Sequence, residues 1–179
     1  MFDHYIEPII EFLRANAVWA APIVGVLAFA ESLAFLSVFV PAWGILVGVG
    51  AMIGSDVLSF WPVWIAASIG AALGDWLSYW IGWYFKDRIH HMWPFSKNPQ
   101  ALPKAEAFFA RWGALGVFIG RFFGPLRATV PLAAGIFEMP QVKFQIANVT
   151  SAFVWAAVLI GGGATGLEAV KVVKGSLGW

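Results

Sequence analysis

The sequence contains no cysteine and very little charge. Without cysteine the chain can form no disulfide and offers no thiolate to a metal or to catalysis. Charged residues make up only 12% of the 179 residues, and a formal net charge of +1 argues against nucleic acid as a partner. Apolar residues make up 60%, which is more than a soluble domain of this size can bury. The composition therefore predicts an integral membrane protein.

Sequence patterns for catalysis and for metal binding are absent as well. The chain shows no Ser-His-Asp order, no phosphate-binding glycine loop, no H-E-x-x-H and no dinucleotide-binding signature. His90 and His91 are adjacent in a polar stretch, and no third ligand accompanies them. We therefore predict that the protein is not an enzyme and that it holds neither a metal nor a cofactor.

Four long apolar stretches organise the chain, which we interpret as a single membrane domain. They cover residues 18–54, 57–85, 113–137 and 144–166. A crossing of the bilayer takes about 20 apolar residues, so the second and fourth stretches each predict one transmembrane helix. The first stretch is too long for one crossing, and the third contains two arginines, a glycine and two prolines within eleven residues. We expect both to form re-entrant hairpins that face each other, because irregular backbone at membrane depth must be surrounded by protein or line a cavity.

Prolines and a tryptophan mark the expected tips of these hairpins. The tip residues are Pro41 and Trp43 in the first hairpin and Pro125 and Pro131 in the second. The hairpins and spanning helices predict an all-α fold.

Two polar segments flank the apolar stretches. Residues 1–17 carry isoleucines and a leucine at helical spacing and predict an amphipathic helix along the membrane surface. Residues 86–112 predict a polar loop, which its basic residues place in the cytoplasm. With two hairpins and two crossings, the termini would lie on the opposite side of the membrane. Lys171 and Lys174 instead favour the cytoplasm for the C-terminus, so the sidedness of the termini stays open.

The chain also resembles two related halves. Glu31 stands ten residues before Pro41, and Arg121 stands ten residues before Pro131. The pattern W-x4-I-G occurs at 76–82 and again at 155–161. These matches predict an inverted repeat, in which each half is a broken hairpin followed by a spanning helix.

Four ionisable residues lie inside the apolar stretches: Glu31, Asp75, Arg121 and Arg127. An unpaired charge at mid-bilayer costs about 2.5–3.5 kcal/mol, so we expect these residues to be paired or hydrated. Two acids and two arginines form a neutral set, which permits a paired cluster between the hairpins. Two interpretations remain open: structural ion pairs that hold the halves together, or contacts to a polar substrate or to protons during transport.

The two arginines point to a phosphate ligand. Guanidinium groups bind phosphate through two parallel hydrogen bonds and stay charged in any environment. Arg121 and Arg127 lie in a segment interrupted by glycine and proline, and Thr129 adds a hydroxyl donor. We therefore predict a phosphate-headgroup site at these three residues. Glu31 and Asp75, which lie among apolar neighbours, are predicted to couple protons or ions or to pair with the arginines.

Three segments resemble a known family. They are Gly-Arg-Phe-Phe-Gly-Pro-Leu-Arg-Ala at 120–128, Leu-Gly-Asp-Trp-Leu-Ser-Tyr-Trp-Ile-Gly at 73–82 and Phe-Ala-Glu-Ser at 29–32. The chain resembles the DedA family, also called the VTT-domain or SNARE-associated family. The resemblance implies two opposed re-entrant hairpins, a multi-pass protein of the bacterial inner membrane and a role in envelope integrity. It also implies that Glu31 matches the first hairpin acid of the family, and that Arg121 and Arg127 match its two essential arginines.

The same resemblance implies transport of lipids between leaflets. The expected substrate is a polyprenyl phosphate such as undecaprenyl phosphate, or a phospholipid, with coupling to protons or sodium. One departure matters: Trp43 stands where the family often has a second acid, which weakens a two-carboxylate relay. The alternatives are a proton-coupled exporter of small cationic solutes and a structural membrane module. Lipid identity, direction, coupling ion and homo-oligomer formation stay open.

Overall fold

The computed structural model describes residues 16–33, 42–86 and 101–177. Within these ranges the chain is helical and contains no strand, which confirms the predicted all-α class. A short 3-10 turn, Ala17–Trp19, precedes the first helix. The helices are α1 (Ala20–Ser32), α2 (Ala42–Ile53), α3 (Phe60–Phe85), α4 (Ala101–Gly120), α5 (Gly124–Ile136) and α6 (Gln141–Leu177). Most of the amphipathic helix predicted for residues 1–17 lies outside the described residues.

A stripe of small residues on α3 explains how its neighbours approach so closely. The stripe repeats every four residues and consists of Ala66, Gly70, Gly74, Ser78 and Gly82. A methyl group added at Gly70 would collide with a backbone carbonyl of α1, and one added at Gly82 would collide with a backbone carbonyl of α5. The stripe therefore receives α1 along its first half and α5 along its second half, as expected for small residues between helices in lipid.

The opposite face of α3 is apolar and exposed. It carries Ile65, Ile69, Leu73, Trp76, Leu77, Trp80 and Trp83. Helix α6 exposes a similar face, formed by Val142, Ile146, Val149, Val154 and Val158. Such continuous apolar surfaces are rare on soluble monomers and suit contact with lipid.

Of the two transmembrane helices predicted from the sequence, one meets the criteria of length and composition. Among the described residues, Gln141–Gly166 of α6 is the one stretch that is both long and apolar enough to cross a bilayer by length and composition. Helix α3 has 26 residues and so spans about 39 Å at 1.5 Å per residue, but its tryptophans, tyrosines and Asp75 make it less apolar.

The two long helices cross the helices of the opposite half in the same way. Helix α5 packs on α3, and α2 packs on α6. Both crossings use a pair of glycines, Gly82 with Gly135 and Gly163 with Gly50. In both crossings a methyl group on either glycine would meet the carbonyl oxygen three residues before the partner glycine; these oxygens belong to Leu132, Tyr79, Val47 and Ile160. The two crossings therefore share one register.

Helix α4 begins earlier than the sequence pattern suggests. It starts at Ala101 and bends at Gly113, whose φ of +45° lies in the left-handed region. Residues 101–112, expected as the end of a polar loop over 86–112, are therefore helical. This segment is rich in alanine and other good helix formers, and that local preference outweighs its polarity. Helix α6 likewise runs beyond the predicted span of 144–166.

The expected tip residues of the second hairpin are also corrected. The turn between α4 and α5 is formed by residues 121–123, and Pro125 lies at the start of α5. A proline is tolerated there because the first helical N–H groups have no partner within the helix. Pro131 is buried inside α5 and is not a tip residue.

In the first hairpin, Trp43 lies in the first turn of α2. Pro41, its other expected tip residue, falls outside the described residues.

Two apolar cores lie at the two ends of the helix assembly. One is formed by α1, α2, α3 and α6 around residues such as Val24, Leu46 and Ile160. The other is formed by α3, α4, α5 and α6 around Tyr79, Val130 and Phe144. Between these two cores, the inward faces of α3 and α6 carry buried polar residues; they are Asp75, Ser78, Asn148 and Ser151.

Candidate functional site

The four charged residues predicted from the sequence meet in this polar layer. Glu31 lies at the end of α1, Asp75 in α3, Arg121 in the turn after α4 and Arg127 in the first turn of α5. Arg127 donates from Nη1 to Glu31 Oε1 at 2.6 Å, and Arg121 donates from Nη2 to Asp75 Oδ2. All four residues are at most 7% exposed. Each ion pair joins a helix of the first half to the α4–α5 region.

Arg121 is enclosed by acceptors from the two long helices. Its Nη2 also donates to Asn148 Oδ1 at 2.6 Å, and its Nε donates to Ser151 Oγ at 3.0 Å. Asn148 is held in turn, because its Nδ2 donates to the carbonyl of Ala72 at 2.9 Å and to Gln145 Oε1 at 3.2 Å. Arg121 therefore connects α3 and α6.

Arg127 has a different environment. Its Nη2 donates to Ser32 Oγ at 3.1 Å, and its guanidinium lies 4.0 Å from the ring centre of Trp155. Ser32 is itself tied to α3, since Ser78 Oγ donates to its carbonyl at 3.3 Å. The ring face of a tryptophan attracts a guanidinium and adds about 0.5–2 kcal/mol.

Sequence reasoning missed four members of this cluster: Ser32, Asn148, Ser151 and Trp155. A signal was available for two of them, because Asn148 and Ser151 are polar residues one turn apart within the apolar stretch 144–166. The same signal applies weakly to Ser32, which follows Glu31. Trp155 gave no signal, because a tryptophan in an apolar helix is ordinary.

Each charged residue of the cluster keeps one polar atom without a hydrogen-bond partner among the described residues. These atoms are Glu31 Oε2, Asp75 Oδ1, Arg121 Nη1 and Arg127 Nε. Buried polar atoms are nearly always paired, and an unpaired one costs about 1–3 kcal/mol. The cluster therefore retains two donors and two acceptors that a polar ligand can use.

The helix ends add an electrostatic feature to the ion pair of Glu31 and Arg127. Glu31 lies at the C-terminal end of α1, where the helix dipole disfavours an acid, and Arg127 lies near the N-terminal end of α5, where it disfavours a cation. The N-cap residue of α5, Phe123, supplies no side-chain hydrogen bond to the helix start. The start of α5 is therefore a favourable place for an anion, beside an arginine.

The remaining predicted residues lie elsewhere. Thr129 is exposed on α5, outside the buried cluster. Tyr79, one turn after Asp75, donates its hydroxyl to the carbonyl of Met139 at 2.7 Å. Among the described residues, no three histidine or acidic side chains come together as a metal site would require.

Comparison with known proteins places the chain in a family. The VTT domain family model matches residues 40–165. The chain belongs to the VTT-domain family. The resemblance to the DedA family, drawn from the arginine and aspartate segments, is thereby confirmed. The matched region contains Asp75, both arginines and the polar residues of α6, whereas Glu31 and Ser32 precede it.

Similar proteins are membrane proteins of bacteria. The VTT-domain chain is 39% identical over 145 residues to the inner membrane protein YabI of Escherichia coli, covering 80% of this chain and 57% of the relative. It is 33% identical over 165 residues to the uncharacterized membrane protein BU139 of Buchnera aphidicola, covering 92% of this chain and 64% of the relative. The chain therefore spans less than two thirds of the length of these relatives.

A mycobacterial relative extends the comparison. The uncharacterized membrane protein Rv2637 of Mycobacterium tuberculosis is 35% identical over 151 residues, which cover 81% of this chain and 66% of the relative. No solved structure matches the chain. The family and the exposed apolar faces together identify a VTT-domain membrane protein.

Proposed function

We propose that this VTT-domain protein translocates a phosphate-headed lipid, a polyprenyl phosphate or a phospholipid, between the leaflets of the bacterial inner membrane. The observation that carries the proposal is the buried cluster of two arginines, each of which keeps an N–H donor without a hydrogen-bond partner among the described residues. Arginine is well suited to phosphate because its planar donors match two phosphate oxygens at once. The name of the Escherichia coli relative supports the inner membrane as the location.

The unpaired atoms also favour this function over a purely structural module. Buried ion pairs stabilise a protein less than apolar packing does, and each buried polar atom without a hydrogen bond costs further stability. A cluster with a purely structural role would therefore be expected to have all of its polar atoms hydrogen-bonded. This cluster leaves four of them unpaired. A proton-coupled exporter of small cations is the other alternative, and the two arginines disfavour it because they repel a cation from the site.

The proposed architecture has two re-entrant hairpins related by an inverted repeat. Helices α1, α2 and α5 have 13, 12 and 13 residues. At 1.5 Å per residue, 13 residues span about 20 Å, which is shorter than a hydrocarbon core of about 30 Å. The shared register of the two glycine crossings supports the repeat, because related halves would cross each other's long helix in the same way.

Glu31 and Asp75 are proposed to couple transport to protons or sodium. A phosphate that binds an arginine competes with the carboxylate already paired to it. The carboxylate that is released while it is still buried then requires a new positive partner, either a proton or a sodium ion. Glu31 is the favoured group, because its helix end already disfavours its charge.

The test is translocation by the purified full chain in lipid vesicles. A fluorescent polyprenyl phosphate and a fluorescent phospholipid are assayed in parallel, with an impermeant quencher that reports the fraction in the outer leaflet. Arg121→Ala and Arg127→Ala are each expected to slow translocation roughly tenfold or more, since truncating one member of a buried charge pair costs 2–5 kcal/mol in binding. Lys143→Ala, which removes an exposed cation at the start of α6, is the matched control.

The outcomes separate the proposals. Translocation of one probe over the other identifies the lipid class. If the wild-type protein moves neither probe, or if both arginine variants move lipid at the rate of Lys143→Ala, the proposed function is wrong.

A further inference from the structure

The two arginines differ in how firmly the fold holds them. Arg121 donates to three side chains, Asp75, Asn148 and Ser151, and these belong to the two longest helices. Its side chain is only 1% exposed. Withdrawing Arg121 would break its hydrogen bonds to α3 and α6 together.

Arg127 is held from one direction by hydrogen bonds and from the other by a ring. Within the described part of the chain its hydrogen-bond acceptors are Glu31 and Ser32, the last two residues of α1. The third contact is the face of Trp155 in α6. A ring face attracts a cation without fixing the direction of its N–H groups, so Arg127 can turn its donors away from α1 while it remains on Trp155.

The backbone around Arg127 also has fewer constraints. Pro131 has no N–H group, so the helical hydrogen bond from residue 131 to the carbonyl of Arg127 cannot form. No side chain at the N-cap holds the start of α5. An anion at this helix start would be stabilised by the helix dipole and by Arg127, whereas Glu31 gains nothing from its own helix end.

We propose that Arg127 is the exchangeable arginine of the cluster, which trades Glu31 for the phosphate of the ligand, while Arg121 stays anchored to Asp75, Asn148 and Ser151. Trp155 is the positioning residue that keeps the guanidinium in place during the exchange. This inference rests on the proposed function, because it concerns the same phosphate site. The unpaired Arg127 Nε is the donor that a phosphate oxygen can contact before Glu31 leaves.

The test is a comparison of ligand affinity between variants of the two acids. Farnesyl phosphate, a short-chain polyprenyl phosphate, is titrated calorimetrically into the full chain in detergent micelles. Glu31→Gln is expected to bind it about tenfold more tightly, because the competing charge is removed from Arg127. Asp75→Asn is expected to bring a clearly smaller gain, because Arg121 does not exchange and the charge of Asp75 acts on Arg127 only from outside its ion pair.

Three further variants and a second probe keep the test decisive. Ser151→Ala removes one anchor of Arg121 with little change in volume, and its affinity is expected to stay within about twofold. Trp155→Leu is expected to weaken binding about fivefold, and Trp155→Phe, which keeps a ring, to restore most of it. Inorganic phosphate is expected to compete with farnesyl phosphate, and more strongly in Glu31→Gln, because the exchange involves the phosphate alone.

The matched control is Glu138→Gln, which neutralises an exposed acid paired with Lys86 outside the cluster. If farnesyl phosphate binds the wild type but Glu31→Gln does not bind it more tightly than this control, the exchange is wrong while the proposed function stands. A gain in Asp75→Asn as large as that in Glu31→Gln, or a gain beyond about twofold in Ser151→Ala, would reverse the two roles and would also overturn the exchange. If the wild type binds neither probe, the proposed function itself fails.

Discussion

The two halves of the molecule use the same helix crossing but carry opposite charges. Among the described residues of the first half, up to residue 85, the buried charged groups are the acids Glu31 and Asp75. Among those of the second half, from residue 101 on, they are Arg121 and Arg127. The glycine crossings of α5 on α3 and of α2 on α6 share one register. The two crossings therefore share a geometry while the buried charges of the halves are complementary, so each buried ion pair forms only when the halves are assembled.

The halves also differ in how they place their charges. Arg121 lies in the turn before α5 and Arg127 in the first turn of α5, six residues later, so local structure brings the arginines near each other. The acids come from α1 and α3, and only the packing of α1 on the small-residue stripe of α3 brings them together. A change at the turn should therefore affect both pairs, whereas a change at the stripe should affect the position of the acids.

The largest effect on stability is expected when one residue of a buried ion pair is removed and its partner charge is left unpaired. Arg121→Leu leaves Asp75 buried without its partner, and we expect the free energy of unfolding to fall by about 3–5 kcal/mol. The double variant with Asp75→Leu should recover most of this loss, because neither charge then remains buried. Reversible unfolding in mixed micelles measures both. A double variant as unstable as the single one would show that the pair itself, and not the stranded charge, supplies the stability.

An intermediate effect is expected at the glycine crossings, where the halves are alike. Gly82→Ala and Gly163→Ala each introduce a methyl group against a backbone carbonyl of the other half, and we expect each to lose about 1–3 kcal/mol of unfolding free energy. Gly162→Ala is the control, because a methyl group there meets nothing within 4 Å. It should be neutral or stabilising by up to about 1 kcal/mol. A large loss at one crossing and none at the other would contradict the equivalence of the halves.

The smallest effect is expected at the exposed ion pair that also joins the halves. Lys86, after α3, pairs with Glu138 in the turn before α6, so here the base comes from the first half and the acid from the second. The side chains are 29% and 59% exposed, and pairs of this kind contribute at most about 1 kcal/mol. Lys86→Ala should therefore change the unfolding temperature only slightly, and less in high salt. A loss of stability as large as that in Arg121→Leu would mean that burial does not explain the difference in stability between the exposed and the buried ion pairs.

The membrane class, the family and the four charges that are buried follow from the sequence without the structure. These follow from properties that each segment carries alone: apolar length, the composition of a motif and the cost of a charge in lipid. The small-residue stripe of α3 can also be predicted from the sequence, since residues four apart share a helix face.

Which acid pairs with which arginine follows only from the packing of the helices. The two acids and two arginines permitted either pairing, and the helix crossings placed Glu31 against Arg127 and Asp75 against Arg121. The same crossings brought in Asn148, Ser151 and Trp155, whose roles depend on the face that α6 turns towards the arginines. The physical reason is that contact between distant segments depends on how closely and in what register the helices pack, and glycines on several helices set that together.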